Sequence, residues 1–216
     1  MIAGQRNLAV FFGVVVTLGG AVMLGGWLFG IESLVHPHGK IIPIKPITAA
    51  TFIVAGIQLV LTGWFFDNPR KQAIMPIIVS AALFQFIVMG SQMLMNLTGS
   101  MNGIEFHIES PTFSYAEFNL DAMPASVGTI LTFFCISMVG ILDNFGDRLM
   151  LRRLVNGAAV AIAVSAFAGY VLNVPVLYFN MPGVSSPMAI YTAALGLFAG
   201  ISIWFSSPIS PLPEED

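Results

Sequence analysis

The stretch LAVFFGVVVTLGGAVMLGGWLF, Leu8 to Phe29, runs for 22 residues without a charged side chain. A helix needs about 20 mainly apolar residues to cross the hydrocarbon of a bilayer. A cleavable signal has a shorter apolar core and a small-x-small cleavage site, and Gly25-Gly26-Trp27 is not one, so this run reads as a retained spanning helix. Five more runs qualify: Ile47 to Phe66, Ile74 to Leu97, Ala125 to Leu142, Leu154 to Leu172 and Met188 to Phe205. The 216 residues are 56% hydrophobic and 9% charged, with mean hydropathy +0.87, too apolar for one soluble core. The expected fold class is an all-α membrane protein of six transmembrane helices, residues 1–206. Residues 207–216 form a short Pro-rich acidic tail.

The eight Lys and Arg residues set the orientation, because short loops rich in them stay cytoplasmic. Arg6, Arg70, Lys71, Arg148, Arg152 and Arg153 fall on one side, Lys40 and Lys45 on the other. Both termini are therefore expected inside, in a multi-pass protein of the cytoplasmic (inner) membrane. The longest outer insertion, residues 98–124, carries Glu105, Glu109, Glu117 and Asp121 with no Lys or Arg. Trp27, Trp64, Tyr170, Tyr178 and Trp204 lie near predicted helix ends and read as interfacial belt residues. The net charge of -3 argues against nucleic acid as a partner. The lone Cys135 excludes a disulfide within the chain.

Internal similarity divides the six helices into hairpins. Gly26-Trp27 precedes Thr48 by 22 residues, Gly169-Tyr170 precedes Thr192 by 23, and each Thr is followed eight residues later by Gly56 or Gly200. In the middle pair Thr132 and Gly140 keep the offset of eight, with Gly90 in the preceding helix; a rival register anchored on Met123 puts Val127 at the threonine position. The hairpins are about 8–66, 74–142 and 154–205, each running out and back, which makes them three parallel repeats. Gly26, Thr48, Gly56, Thr132, Gly140, Gly169, Thr192 and Gly200 read as a packing motif, and Pro46, Pro124 and Pro187 as fixing the helix entries.

At these residues the chain resembles the integral membrane input domain that precedes PAS modules, histidine kinases and diguanylate cyclases in prokaryotic signalling proteins. Gly26-Trp27-Leu28-Phe29-Gly30-Ile31-Glu32-Ser33-Leu34, then Lys45-Pro46-Ile47-Thr48-Ala49, is similar to that family's "GWLxxIxxL … MKPxTA" run. Leu97-Thr98-Gly99 through Gly103-Ile104 is similar to its "LTGxxxGI", and Gly169-Tyr170-Val171-Leu172-Asn173-Val174-Pro175-Val176-Leu177-Tyr178 to its "GYLxxVPxLY". The resemblance implies a six-helix sensory module that passes a signal to a cytoplasmic output module. The sequence after Trp204 carries no kinase, cyclase or PAS segment, and its Pro-rich acidic tail reads as a native terminus. The expected function is thus a sensor-like module without catalytic output, acting through a separate signalling partner. The alternative is a non-catalytic accessory subunit of a respiratory, photosynthetic or other membrane complex; a small transporter is the weakest reading.

The candidate chemistry is sparse. The six predicted spans hold no ionisable side chain, which argues against an ion or proton relay. Gln85, Gln92 and Asn96 share one helical face and, with Gln58, are the candidate lining of a polar ligand pocket, against the alternative of interhelical hydrogen-bond glue. His36, His38 and His107 are the candidate metal ligands, all in outer segments. Haem would need histidines within the helices. No enzyme activity and no cofactor is expected, contacts with lipid or pigment aside.

Overall fold

Each of the six apolar runs folds as one long helix, and two short elements follow α1 and α6. The computed structural model describes residues 3–35, 43–65, 71–98, 124–143, 149–181 and 185–206. The elements are α1 (Ala3–Leu28), α2 (Glu32–Val35), α3 (Pro46–Phe65), α4 (Lys71–Thr98), α5 (Val127–Leu142), α6 (Leu149–Leu172), a 3-10 turn (Pro175–Tyr178) and α7 (Ile190–Phe205). Among the described residues the only β pairing is an isolated bridge between Met181 and Ser185. Segments of α1, α3, α4 and α6 are long and apolar enough to cross a membrane, whereas α5 and α7 have 16 residues each.

Helices α3, α5 and α7 touch one another, and α1, α4 and α6 lie outside them in alternation. Burial separates the two sets: 61% of the apolar window of α3 is buried, against 22% for α1 and 28% for both α4 and α6. The inner trio meets along residues spaced three and four apart, the stripe that helices use to pack along their length. At one end of the trio Thr48, Thr129 and Thr192 are each the third residue of their helix. Below them Phe52 and Phe133 pack with ring centroids 4.6 Å apart, and the third helix has Gly196 at the same depth. A further layer is Ala55, Ile136 and Ala199, all fully buried.

Close backbone approach ties α1 to α3. A Cβ on Gly56 would lie 2.8 Å from the Gly13 carbonyl oxygen and collide with Thr17, and one on Gly20 would lie 2.7 Å from the Ala49 oxygen. Only glycine allows this spacing, so two helices with no charged partners in their middles are held by contact area, as membrane helices are. Gly140 makes room for the Gln58 amide, and Gly196 brings Thr132 of α5 against α7. Gly90, by contrast, faces open space.

Both α1 and α6 stop in the same way. Gly30 and Asn173 take left-handed φ of 64° and 55°, and the next amide turns back, Ile31 to Gly26 and Val174 to Gly169, at 2.9 and 2.8 Å. Left-handed residues of this kind end helices by satisfying their last carbonyls. Gly26 and Gly169 therefore mark helix ends.

Candidate functional site

The first residues of α3, α5 and α7 converge at one end of the inner trio, the end that the sequence reading places outside. There Lys45, Thr48, Ser126, Thr129, Ser186 and Thr192 line a cavity of about 20 Å³, with Pro43, Pro187 and aliphatic side chains completing its wall. Pro43, Pro124 and Pro187 stand five residues before Thr48, Thr129 and Thr192. Pro46 is the first residue of α3, and Thr129 holds the third position of α5 as Thr48 and Thr192 do of α3 and α7, with Thr132 at the sixth.

One polar side chain from each outer helix fixes the strand-like lead into its partner. Trp27 Nε1 donates to the Ile44 carbonyl at 2.8 Å, Asn96 Nδ2 to that of Ala125 at 2.9 Å, and the Tyr170 hydroxyl to that of Met188 at 2.6 Å. Ile44, Ala125 and Met188 each lie four residues before the cavity threonine. Trp27 is fully buried, so it is an anchor rather than the belt residue its position suggested; Trp64 and Trp204 remain exposed. Tyr170 also stacks on Tyr178, with centroids 4.5 Å apart.

The cavity wall is cross-braced. Lys45 Nζ and the Ser186 hydroxyl both donate to the Pro124 carbonyl, at 3.1 and 2.8 Å. Ser185 Oγ accepts from the Val127 amide, and the Phe179 ring rests where a side chain on Gly128 would be. Ser126 caps α5 by accepting from the Thr129 amide at 3.1 Å. The first turn of α7 has no side-chain cap. Thr48 and Thr192 are each 2% exposed.

The four candidate pocket residues fall into two separate contacts. Gln85 Nε2 donates to Gln58 Oε1 at 2.6 Å, and Gln58 Nε2 to the Ile136 carbonyl at 3.3 Å, joining α4, α3 and α5. Gln92 Oε1 accepts from the Ala125 amide at 2.9 Å, beside the bond from Asn96 to the Ala125 carbonyl. Gln92 and Asn96 thus hold both polar groups of one backbone residue. His36, His38 and His107 lie outside the described residues. Among the described residues no cluster of metal-binding side chains occurs.

The opposite end of the trio carries a charged group that the sequence reading left outside its spans. Arg152 lies in the first turn of α6 and is 4% exposed. Its Nη1 and Nη2 donate to the Ser206 carbonyl and hydroxyl at 3.0 and 2.7 Å, and Nε stands 3.1 Å from Asp143 Oδ1. Asp143 and Ser206 are the C-caps of α5 and α7, so one guanidinium ties two inner helices together where their dipoles favour a cation. Burial pushes the Asp143 carboxyl above its usual range, and Arg152 and Lys71 pull it back. The signal was available in sequence: an Arg a few residues into an apolar run faces the bundle or the water, and its position alone does not say which. The chain matches no family model, no curated protein and no solved structure in comparisons with each.

Proposed function

We propose that this chain is a membrane-embedded sensory module without catalytic activity, which receives a signal at its outer end and relays it to a partner at its inner end. It would cross the inner membrane six times, both termini cytoplasmic, as three parallel hairpins. The support is the recurrence of one arrangement. Each outer helix (α1, α4, α6) donates one hydrogen bond to the residue four before a buried threonine at the third position of an inner helix. The 16 residues of α5 and α7 span about 24 Å at 1.5 Å per residue, and their extended lead-ins add to that length.

The observation that carries the relay is that α5 and α7 are held at both ends. Their first turns border the outer cavity, and their C-caps are joined through Arg152. A ligand that spreads or draws together the outer ends changes the strain on that inner joint, and a rigid rod transmits it without unfolding.

Spin labels on Met138→Cys and Trp204→Cys, in a Cys135→Ser background, report the separation of α5 and α7 by pulsed electron resonance in nanodiscs. Filling the cavity with Thr192→Leu is expected to shift the distance distribution. An unchanged distribution would leave a rigid accessory scaffold as the better reading, and a membrane complex copurifying in mild detergent would establish it.

A further inference from the structure

We propose that the groove between the start of α1 and the end of α3 seats the head and one acyl chain of a single anionic glycerophospholipid. The inference goes beyond the sensory reading and does not depend on it. It needs only that α1 and α3 cross a bilayer, for which both are long and apolar enough.

Arg6 and Asn7 of α1 and Trp64 of α3 line a groove of about 390 Å³, together with Val10 and Phe11. Close packing beside it gives the groove its edge. A Cβ on Gly63 would lie 3.2 Å from the Ala9 Cβ and 3.3 Å from the Val10 side chain, so the two helices nearly touch there. Trp64, the next residue, stays 59% exposed beside that contact.

Polarity in the groove runs in one direction. Arg6 and Asn7 are exposed and come one turn before Val10 and Phe11 along α1. Past Phe11 the exposed face of α1 continues through Val14, Leu18 and Val22. At 1.5 Å per residue the track from Phe11 to Val22 is about 16 Å long, the depth of one leaflet of a hydrocarbon core about 30 Å thick. A cation and an amide donor therefore stand at the head of an apolar track as long as a leaflet is deep, with an indole at the boundary that indoles prefer.

Charge selects the head group. A guanidinium takes two phosphate oxygens in a bidentate fork, and the Asn7 amide and the Trp64 indole supply further N–H donors for ester oxygens. Among the described residues of the lining none is a carboxylate. The ammonium of a zwitterionic head would thus lie beside Arg6, where like charge repels it, whereas a head of net negative charge meets no such penalty. Basic pockets between spanning helices hold anionic lipid heads in this way. A water-soluble phosphate ester fills only the polar end and leaves the apolar track uncovered.

The full chain, reconstituted in phosphatidylcholine nanodiscs containing a small share of lipid with brominated chains, tests the seat directly. Bromine quenches a nearby indole, and the fluorescence that Trp64→Phe removes isolates Trp64. Brominated phosphatidylglycerol is expected to quench Trp64 well beyond its mole fraction, and brominated phosphatidylcholine only in proportion to it. Arg6→Gln, a change at an exposed position, should weaken the preference by about tenfold or more, because charge-assisted hydrogen bonds to the phosphate are lost. Excess glycerol phosphate should leave the quenching unchanged. Equal quenching by the two lipids on the unaltered chain would overturn the proposal, whatever the variant does, and so would a preference that survives Arg6→Gln. Relief of quenching by glycerol phosphate would replace the lipid seat with a site for a soluble anion.

Discussion

Replacing Arg152 by Met should cost more stability than any single surface change, and the size follows from what Arg152 touches. The guanidinium makes two hydrogen bonds to Ser206 and an ion pair of 3.1 Å with Asp143, whose side chain is 7% exposed. Its removal leaves a carboxylate buried with Lys71 as the remaining cation that acts on it. Breaking one side of a buried pair costs about 3–5 kcal/mol, whereas replacing both sides with apolar groups is often neutral. Arg152→Met is therefore expected to lose about 3–5 kcal/mol, and Arg152→Met/Asp143→Leu to recover most of that, keeping only the loss of the Ser206 bonds. The pH dependence has a definite sign. Burial raises the folded pKa of Asp143, so the proton is held more tightly in the folded state, and the charge penalty is absent below the ordinary carboxylate range and grows as pH rises through the raised value. With Arg152 gone this penalty is larger, so the Arg152→Met deficit should shrink between pH 7 and pH 5. Equilibrium unfolding of the purified chain in mixed micelles, followed by helical circular dichroism, reads all three. A single variant as stable as wild type, or a double variant no better than the single, would refute the ion-pair account.

Two other sets of substitutions test the packing. Gly56→Val should push α1 from α3, since even a Cβ there meets the Gly13 carbonyl at 2.8 Å, and lose about 2–3 kcal/mol, whereas Gly90→Ala, with open space around it, should be neutral or gain up to about 1 kcal/mol in the same unfolding assay. Trp27→Phe, Asn96→Leu and Tyr170→Phe each remove one hydrogen bond to an equivalent carbonyl, at least about 1 kcal/mol apiece, and hydrogen exchange at the outer turns of α3, α5 and α7 should quicken in the matching hairpin alone.

Hydropathy made the helices legible because length and apolarity are local properties, and all six runs fold as helices. The role of single residues was less so. Trp27 near a helix end is what an interfacial belt residue and a buried anchor both look like, and only the chain returning at Ile44 separates them. The Thr-to-Gly offset of eight recurs in α5 at Thr132, while α3, α5 and α7 also share a proline five residues before a threonine: Pro43 and Thr48, Pro124 and Thr129, Pro187 and Thr192. Arg152 reads in sequence as a charge beside an apolar run, yet its burial depends on Ser206, 54 residues later, coming alongside. The glutamines were expected either to line a pocket or to join helices, and their partners on α3, α5 and the Ala125 backbone are non-local contacts that spacing along one helix does not reveal.

The proposed arrangement of three outward hairpins underlies every functional statement above, and labelling of single cysteines in a Cys135→Ser background tests it most directly. His38→Cys, Ser110→Cys and Gly183→Cys are expected to react with a membrane-impermeant maleimide in intact cells, and Asn68→Cys and Asp147→Cys only after the membrane is permeabilised. Reaction of Asn68→Cys or Asp147→Cys together with the outer positions in intact cells would contradict the arrangement.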